Sequence, residues 1–214
     1  MSASWTSAFG RACGVLLDTI VRWLALSRIN PNVLTFMGLV VNTWAAILFG
    51  SATALTQRRL FFYAGLVIIG SGFFDLVDGA VARANNRVTR FGAFFDSVVD
   101  RYSDASQFLG LLIFYARGDR FFYVVLTAFV MVSAIMVSYT RARAESLIGS
   151  CRVGFMERPE RLVLVIIGAL FNRMAPVLWV IAVLSTLTVI HRMRYTWTRT
   201  QDAPPGAAKA GQAA

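Results

Sequence analysis

The chain has 214 residues, 57% of them apolar, and a formal charge of +10 carried almost wholly by arginine. A mean hydropathy of +0.62 excludes a soluble globular enzyme and a disordered chain alike, and predicts an integral membrane protein. At roughly 20 residues per span, about six helices fit and no separate soluble domain does. The arginine excess reads as topology and anionic-ligand binding, with no nucleic-acid partner.

In chain order, residues 4–28 place Trp5, Phe9, Leu16, Leu17, Ile20 and Leu24 at near-helical spacing, with Arg11, Asp18 and Arg22 among them. This pattern predicts an interfacial amphipathic helix, too interrupted by charge to span. No basic region followed by a compact apolar core precedes it, so no cleavable signal peptide is expected. Asn30-Pro31-Asn32 breaks the pattern, and a first span is predicted over 33–52. A second, over 60–82, contains Gly65, Gly70 and Gly72, which predict close approach of neighbouring helices. A third is predicted over 91–115 and a fourth over 121–139. A basic segment follows, then a fifth span starting near Arg161 and a sixth over 176–190 that ends at His191-Arg192-Met193-Arg194. The only histidine, His191, is expected to cap helix carbonyls there, and most Phe and Trp residues to face lipid or anchor the interface.

The predicted organisation is one all-α membrane domain over 1–199: an interfacial helix in 1–30, a six-helix bundle over 33–195, and a disordered tail over 200–214. No internal repeat is visible, which weighs against an inverted-repeat transporter. If the N-terminal segment, the links after spans two and four, and the tail lie on one side, that side holds fifteen Lys and Arg residues. The opposite loops hold five, so both termini are expected in the cytoplasm. Cys13 and Cys151 then fall on the reducing side and are expected to be free thiols.

Inside this apolar pattern stand Asp75, Asp78, Asp96 and Asp100. An ionised carboxylate in hydrocarbon costs several kcal/mol, so four of them need compensation. Asp75 and Asp78 are three apart, Asp96 and Asp100 four apart, so each pair shares a helix face, and Asp104 extends the second face. Two helices joined by a short link would aim the pairs at one another, near the cytoplasmic end. Four such charges stay ionised together only with cations between them. Oxygen ligands without His or Cys select hard ions, Mg²⁺ or Mn²⁺ over Zn²⁺.

The stretch Asp75-x2-Asp78-Gly79-x2-Ala82-Arg83-x8-Gly92-x3-Asp96-x3-Asp100 resembles the signature of the CDP-alcohol phosphotransferase family, with every fixed position matched. The resemblance implies an enzyme of phospholipid biosynthesis that takes a CDP-linked lipid donor and a small alcohol, and that works as a homodimer. It implies that Asp75, Asp78, Asp96 and Asp100 hold two Mg²⁺ ions, with Mn²⁺ as a substitute, and that Asp100 is also the general base. Asp75, Gly79 and Arg83 are then the nucleotide and diphosphate contacts, since a glycine lets the ligand approach the backbone and arginine offers a planar fork of donors. Gly92 clears the face of Asp96. Asn32-Val33-Leu34-Thr35 looks like the family segment lining the cytidine pocket, and Thr89 matches a position contacting the CDP moiety. Taken alone, Asn32 and Thr35 equally suit helix caps.

Arginines crowd Ser138-Tyr-Thr-Arg141-Ala-Arg143-Ala-Glu145 and Glu157-Arg158-Pro159-Glu160-Arg161, with Arg192 and Arg194 in the sixth span's terminal segment. Positive-inside topology accounts for any one of them. Together they suit a phosphorylated acceptor, with Ser138, Arg141, Arg158, Arg161 and Arg194 as the candidate phosphate contacts. This block resembles the phosphatidylinositol-phosphate synthase branch of the family, which implies CDP-diacylglycerol as donor and inositol 1-phosphate as acceptor. Arg141 stands where that branch typically has lysine. A Gly-Lys-x-Lys-Thr stretch, typical of the glycerol 3-phosphate branch, is missing, which lowers that alternative. A cation transporter using intramembrane aspartates is the alternative of a different class. The diphosphate-type pair Gly79 and Arg83 beside the carboxylates argues against it.

Overall fold

A computed structural model describes residues 31–84 and 89–201 of the chain. The expected interfacial helix, Cys13 and nearly all of the expected tail lie outside the described residues, as do the side chains of Asp75, Asp78, Gly79 and Arg83. Among the described residues the structure is entirely helical: α1 (Pro31–Ser51), α2 (Gln57–Ala84), α3 (Arg90–Arg117), α4 (Phe121–Ile148), α5 (Arg158–Leu170) and α6 (Met174–Gln201).

Four of these helices run 28 residues each, about 42 Å at 1.5 Å per residue, against a hydrocarbon thickness of about 30 Å. The surplus carries two helices past the ends of the expected spans. Helix α4 continues past Tyr139 to Ile148, and α6 continues past Ile190 to Gln201. The first part of the basic segment, through Ile148, is therefore helical, and His191 sits inside a helix where it caps no terminus. Helix α5 is only 13 residues long. It starts at a capping box in which the Glu157 carboxylate accepts from the Glu160 backbone N–H and the Glu160 carboxylate accepts from the Glu157 N–H at 3.1 Å, with Pro159 in the first turn. Among the described residues three helical stretches are long and apolar enough to cross a membrane: Asn32–Ser51, Phe121–Ile148 and Met174–Gln201. Helices α2 and α3 have the length, and both carry several charged residues.

Helix α1 packs against both α2 and α3, α4 against α3 and α6, and α5 bridges α2 and α6. Apolar burial drives helices together weakly in lipid, so close backbone approach and hydrogen bonds matter more. Gly110 is the closest approach: a Cβ there would lie 2.2 Å from the Ala46 carbonyl oxygen. Of the glycines expected to serve this purpose, Gly65 packs against Ala169 and Leu170, whereas Gly70 has nothing within 4 Å. Phe49, Phe61, Phe108 and Phe114 are buried in the core, whereas most of the other described Phe and Trp side chains are exposed. Phe49 and Phe114 each meet Phe61 edge-on, with ring centroids 4.9 Å apart.

A buried polar relay ties the two aspartate-bearing helices to α1. Asn42 donates from Nδ2 to Ser71 Oγ on α2, and its Oδ1 accepts from Gln107 Nε2 on α3 at 2.6 Å. Ser71 lies one turn before Asp75, and Gln107 seven residues after Asp100, so the relay sets the register of both pairs. Replacing Asn42 by Leu leaves a hydroxyl and an amide buried without their partner, each costing about 1–3 kcal/mol. The expected result is a lower unfolding midpoint in detergent, together with weaker cytidine-nucleotide binding.

Candidate active site

The site gathers at the end of the bundle where α2 finishes and α3 begins. Thr89 caps α3, its Oγ1 accepting from the Gly92 N–H at 2.9 Å. A Cβ on Gly92 would lie 3.0 Å from that oxygen and 3.5 Å from Asn32 Oδ1, so Gly92 lets the first turns of α1 and α3 meet. Asn32 is part-buried inside the first turn of α1, Leu34 and Thr35 are buried, and Val33 is exposed. The Asn32–Thr35 segment is thus brought against the start of α3, with Val33 turned to the surface.

From Thr89 the helix carries Asp96, Asp100 and Asp104 up one face, four residues apart. Asp75 and Asp78 lie three apart on α2, which is helical through Ala84. The described donors, Asp96 and Asp100, are carboxylates at helical spacing, and this oxygen-only chemistry fits a hard divalent ion. The structure carries the charge compensation of Asp100 partly on Arg158, whose Nη1 lies 2.9 Å from Asp100 Oδ1.

Beside Asp100 opens a cavity of about 130 Å³. Ser138 and Arg141 of α4, Arg158 of α5 and Arg192 of α6 line it, with Arg101 and Asp104 on the α3 wall. Arg158 spans two aspartates: its Nε lies 3.8 Å from Asp104 Oδ1 while Nη1 meets Asp100. Arg161, only 2% exposed, donates from Nη2 to Asp104 Oδ2. On the other side, Glu157 Oε1 accepts from Arg141 Nη1 and from Arg192 Nη2, each at 2.9 Å. Arg192 is buried as well, and its Nε donates to the Val153 carbonyl at 2.8 Å. Gly154, at φ 111°, lets that loop lie flat: a Cβ there would come within 2.5 Å of Thr188 Cγ2.

Four of the five residues read from the sequence as acceptor contacts therefore converge. Ser138, Arg141 and Arg158 line the cavity, and Arg161 lies behind it on Asp104. Arg194 does not join them. It lines a separate groove with His191, Tyr195 and Arg199. Its neighbour two positions back, Arg192, takes the place in the cavity, because the helical turn carries α6 on through this segment. The Asn42 relay and the pairing of Arg192 with Glu157 are not among the contacts expected from the sequence. A lone Asn within an apolar span was the signal for the first; Glu157 and Arg192 carried none, since their pairing joins residues 35 apart.

Residues 28–190 match the profile of a family described as CDP-alcohol phosphatidyltransferase. The chain belongs to this family. Its transferase chemistry sets aside the ion-transport alternative. The archaetidylinositol phosphate synthase of Pyrococcus horikoshii is 36% identical over 178 residues, covering 83% of this chain and 88% of that protein. The phosphatidylinositol phosphate synthase of Mycobacterium tuberculosis strain H37Rv is 36% identical over 204 residues, covering 90% and 88%. Among solved structures, the M. tuberculosis phosphatidylinositol phosphate synthase with CDP-DAG bound superposes with a TM-score of 0.75 at 32% identity. That match covers 85% of this chain and 94% of that one. The same enzyme in complex with manganese and citrate gives a TM-score of 0.72.

Proposed function

We propose that this CDP-alcohol phosphatidyltransferase moves the phosphatidyl group of CDP-diacylglycerol onto inositol 1-phosphate, releasing CMP. The observation that carries the reading is the arginine-lined cavity opening beside Asp100, where a phosphorylated polyol can sit with a hydroxyl at the carboxylate. Relatives named for inositol phosphate products, and a structural neighbour with CDP-DAG bound, support it.

Asp75, Asp78, Asp96 and Asp100 would hold two Mg²⁺ ions, with Mn²⁺ as a substitute; a manganese complex of the neighbour supports a divalent metal here. When bound, the ions supply charge stabilisation to the diphosphate and to the oxygens that attack and leave. The chain's own residues do the rest. Gly79 and Arg83 receive the CDP diphosphate, with Asn32, Val33, Leu34, Thr35 and Thr89 toward the cytidine end. Arg141 and Arg158, with Ser138, fix the acceptor phosphate. Asp100 takes the proton of the acceptor hydroxyl as its oxygen bonds to the lipid-side phosphorus; the phosphorus–oxygen bond to CMP breaks and the electron pair leaves with CMP. The arginine distribution supports a site and both termini on the cytoplasmic side of the cell membrane. Six spanning helices, the interfacial helix within a 1–199 domain, and a homodimer belong to the same proposal.

The test is CMP release by purified protein given CDP-diacylglycerol and Mg²⁺, with inositol 1-phosphate, free inositol, glycerol 3-phosphate and serine in parallel. Release with inositol 1-phosphate alone is expected. Release with glycerol 3-phosphate instead would keep the chemistry and overturn the acceptor.

A further inference from the structure

Two carboxylates sit where an anion is to bind, and neither belongs to the family motif. Asp104 is 8% exposed and contacts two arginines, Arg158 and Arg161. Glu157 contacts two more, Arg141 and Arg192, through a single oxygen. A pocket that needed only positive charge would omit both, because each opposes the phosphate electrostatically. What they supply is geometry.

We propose that Asp104 and Glu157 are positioning residues that hold the cavity's arginines in phosphate-binding orientation, an inference that rests on the proposed phosphorylated acceptor. Arg192 shows how this works. Its three nitrogens each donate, to Glu157 and to the carbonyls of Val153 and Val137, so it is a buried strut fixed at every nitrogen. Glu157, fixed by that strut, takes Nη1 of Arg141, and Glu145 takes its Nε at 3.0 Å. The Nη2 edge of Arg141 is the part that neither carboxylate occupies. Opposite, Asp104 is held by buried Arg161, whose Nε and Nη1 have no hydrogen-bond partner among the described residues. Asp104 gives Arg158 an anchor separate from Asp100. Arg158 can then turn its Nη1 toward a ligand when Asp100 is engaged elsewhere, without losing its place. A long guanidinium held in advance loses less freedom on binding than one that must be recruited from solvent.

The test compares acceptor and donor kinetics in Glu157→Gln and Asp104→Asn. Glutamine keeps an oxygen for the α5 capping box and the half-exposed site tolerates it, so Glu157→Gln is the variant that decides if Asp104→Asn does not fold. In both, KM for inositol 1-phosphate is expected to rise on the order of tenfold, the scale seen when an orienting partner is removed from a ligand. kcat at saturating acceptor and KM for CDP-diacylglycerol are expected to stay near wild type. A merely structural role would not split the two substrates. A wild-type acceptor KM in Glu157→Gln overturns the proposal, as does an equal loss toward donor and acceptor. Wild-type protein that releases CMP with no phosphorylated acceptor overturns the underlying functional reading first, and is distinguished by failing before any variant is compared.

Discussion

Asp100→Asn is expected to lower acceptor-dependent CMP release on the order of 10³-fold, in the range found when a positioned general base is removed. Asparagine preserves the shape and removes both the basic oxygen and the negative charge. Two consequences follow in the structure. Nη1 of Arg158, 2.9 Å from Asp100 Oδ1, keeps only a neutral acceptor there. Asp96 is left as the one motif carboxylate on α3. The loss should therefore sit in kcat, with the protein still folded because Asp104 continues to hold Arg158 and Arg161. Measuring kcat beside the unfolding midpoint checks this. A variant that retains more than a tenth of wild-type turnover would remove Asp100 from the proton-transfer step.

The second large effect is on stability. Gly110→Ala places a methyl group 2.2 Å from the Ala46 carbonyl oxygen and 2.8 Å from its Cα, and both of these are backbone atoms. No rotamer relieves such a clash, so α1 and α3 must separate. Overpacking of a tight contact costs typically 1–3 kcal/mol, and this one should reach about 3 kcal/mol or more, because the obstacle is a helix backbone. Separation also pulls Asn42 away from Gln107, which sits one turn below Gly110 on α3. Thermal unfolding in detergent should show the loss. Adding Ala46→Gly should not restore it, since the atoms struck belong to the main chain; recovery in the double variant would mean that the side chain was the obstacle.

Much of the fold was legible because a bilayer imposes a strong length rule. Apolar runs of about 20 residues, interrupted by Asn-Pro-Asn and by arginine-rich links, located all six described helices to within a few residues at their starts. Two of the helices run on beyond the expected span ends at Tyr139 and Ile190. A charged residue stops an apolar run without stopping a helix, and Arg141, Arg143 and Arg192 are compatible with continued helix once the segment leaves the hydrocarbon. Helix α5 starts where the fifth span was expected but has only 13 residues: it ends at Leu170, and two residues on, at Asn172, the backbone takes φ 54°.

The sequence by itself determined the chemistry: the aspartates, glycines and arginine of the motif lie within 26 residues, and helical periodicity alone places each carboxylate pair on one face. It determined the family for the same reason. Tertiary structure alone decided how the arginine-lined cavity is built. Arg141, Glu157 and Arg192 come from three separate segments and meet through contacts spanning 16 and 35 residues. Arg161 reaches Asp104 across 57. No local pattern encodes such pairings, because an arginine at a helix end outside the hydrocarbon satisfies membrane topology whichever way it points. Whether it becomes a strut like Arg192, a cavity wall like Arg158 or a surface charge like Arg194 depends on helix rotation. That rotation is set by small-residue contacts such as Gly110 on Ala46 and by the buried Asn42 relay.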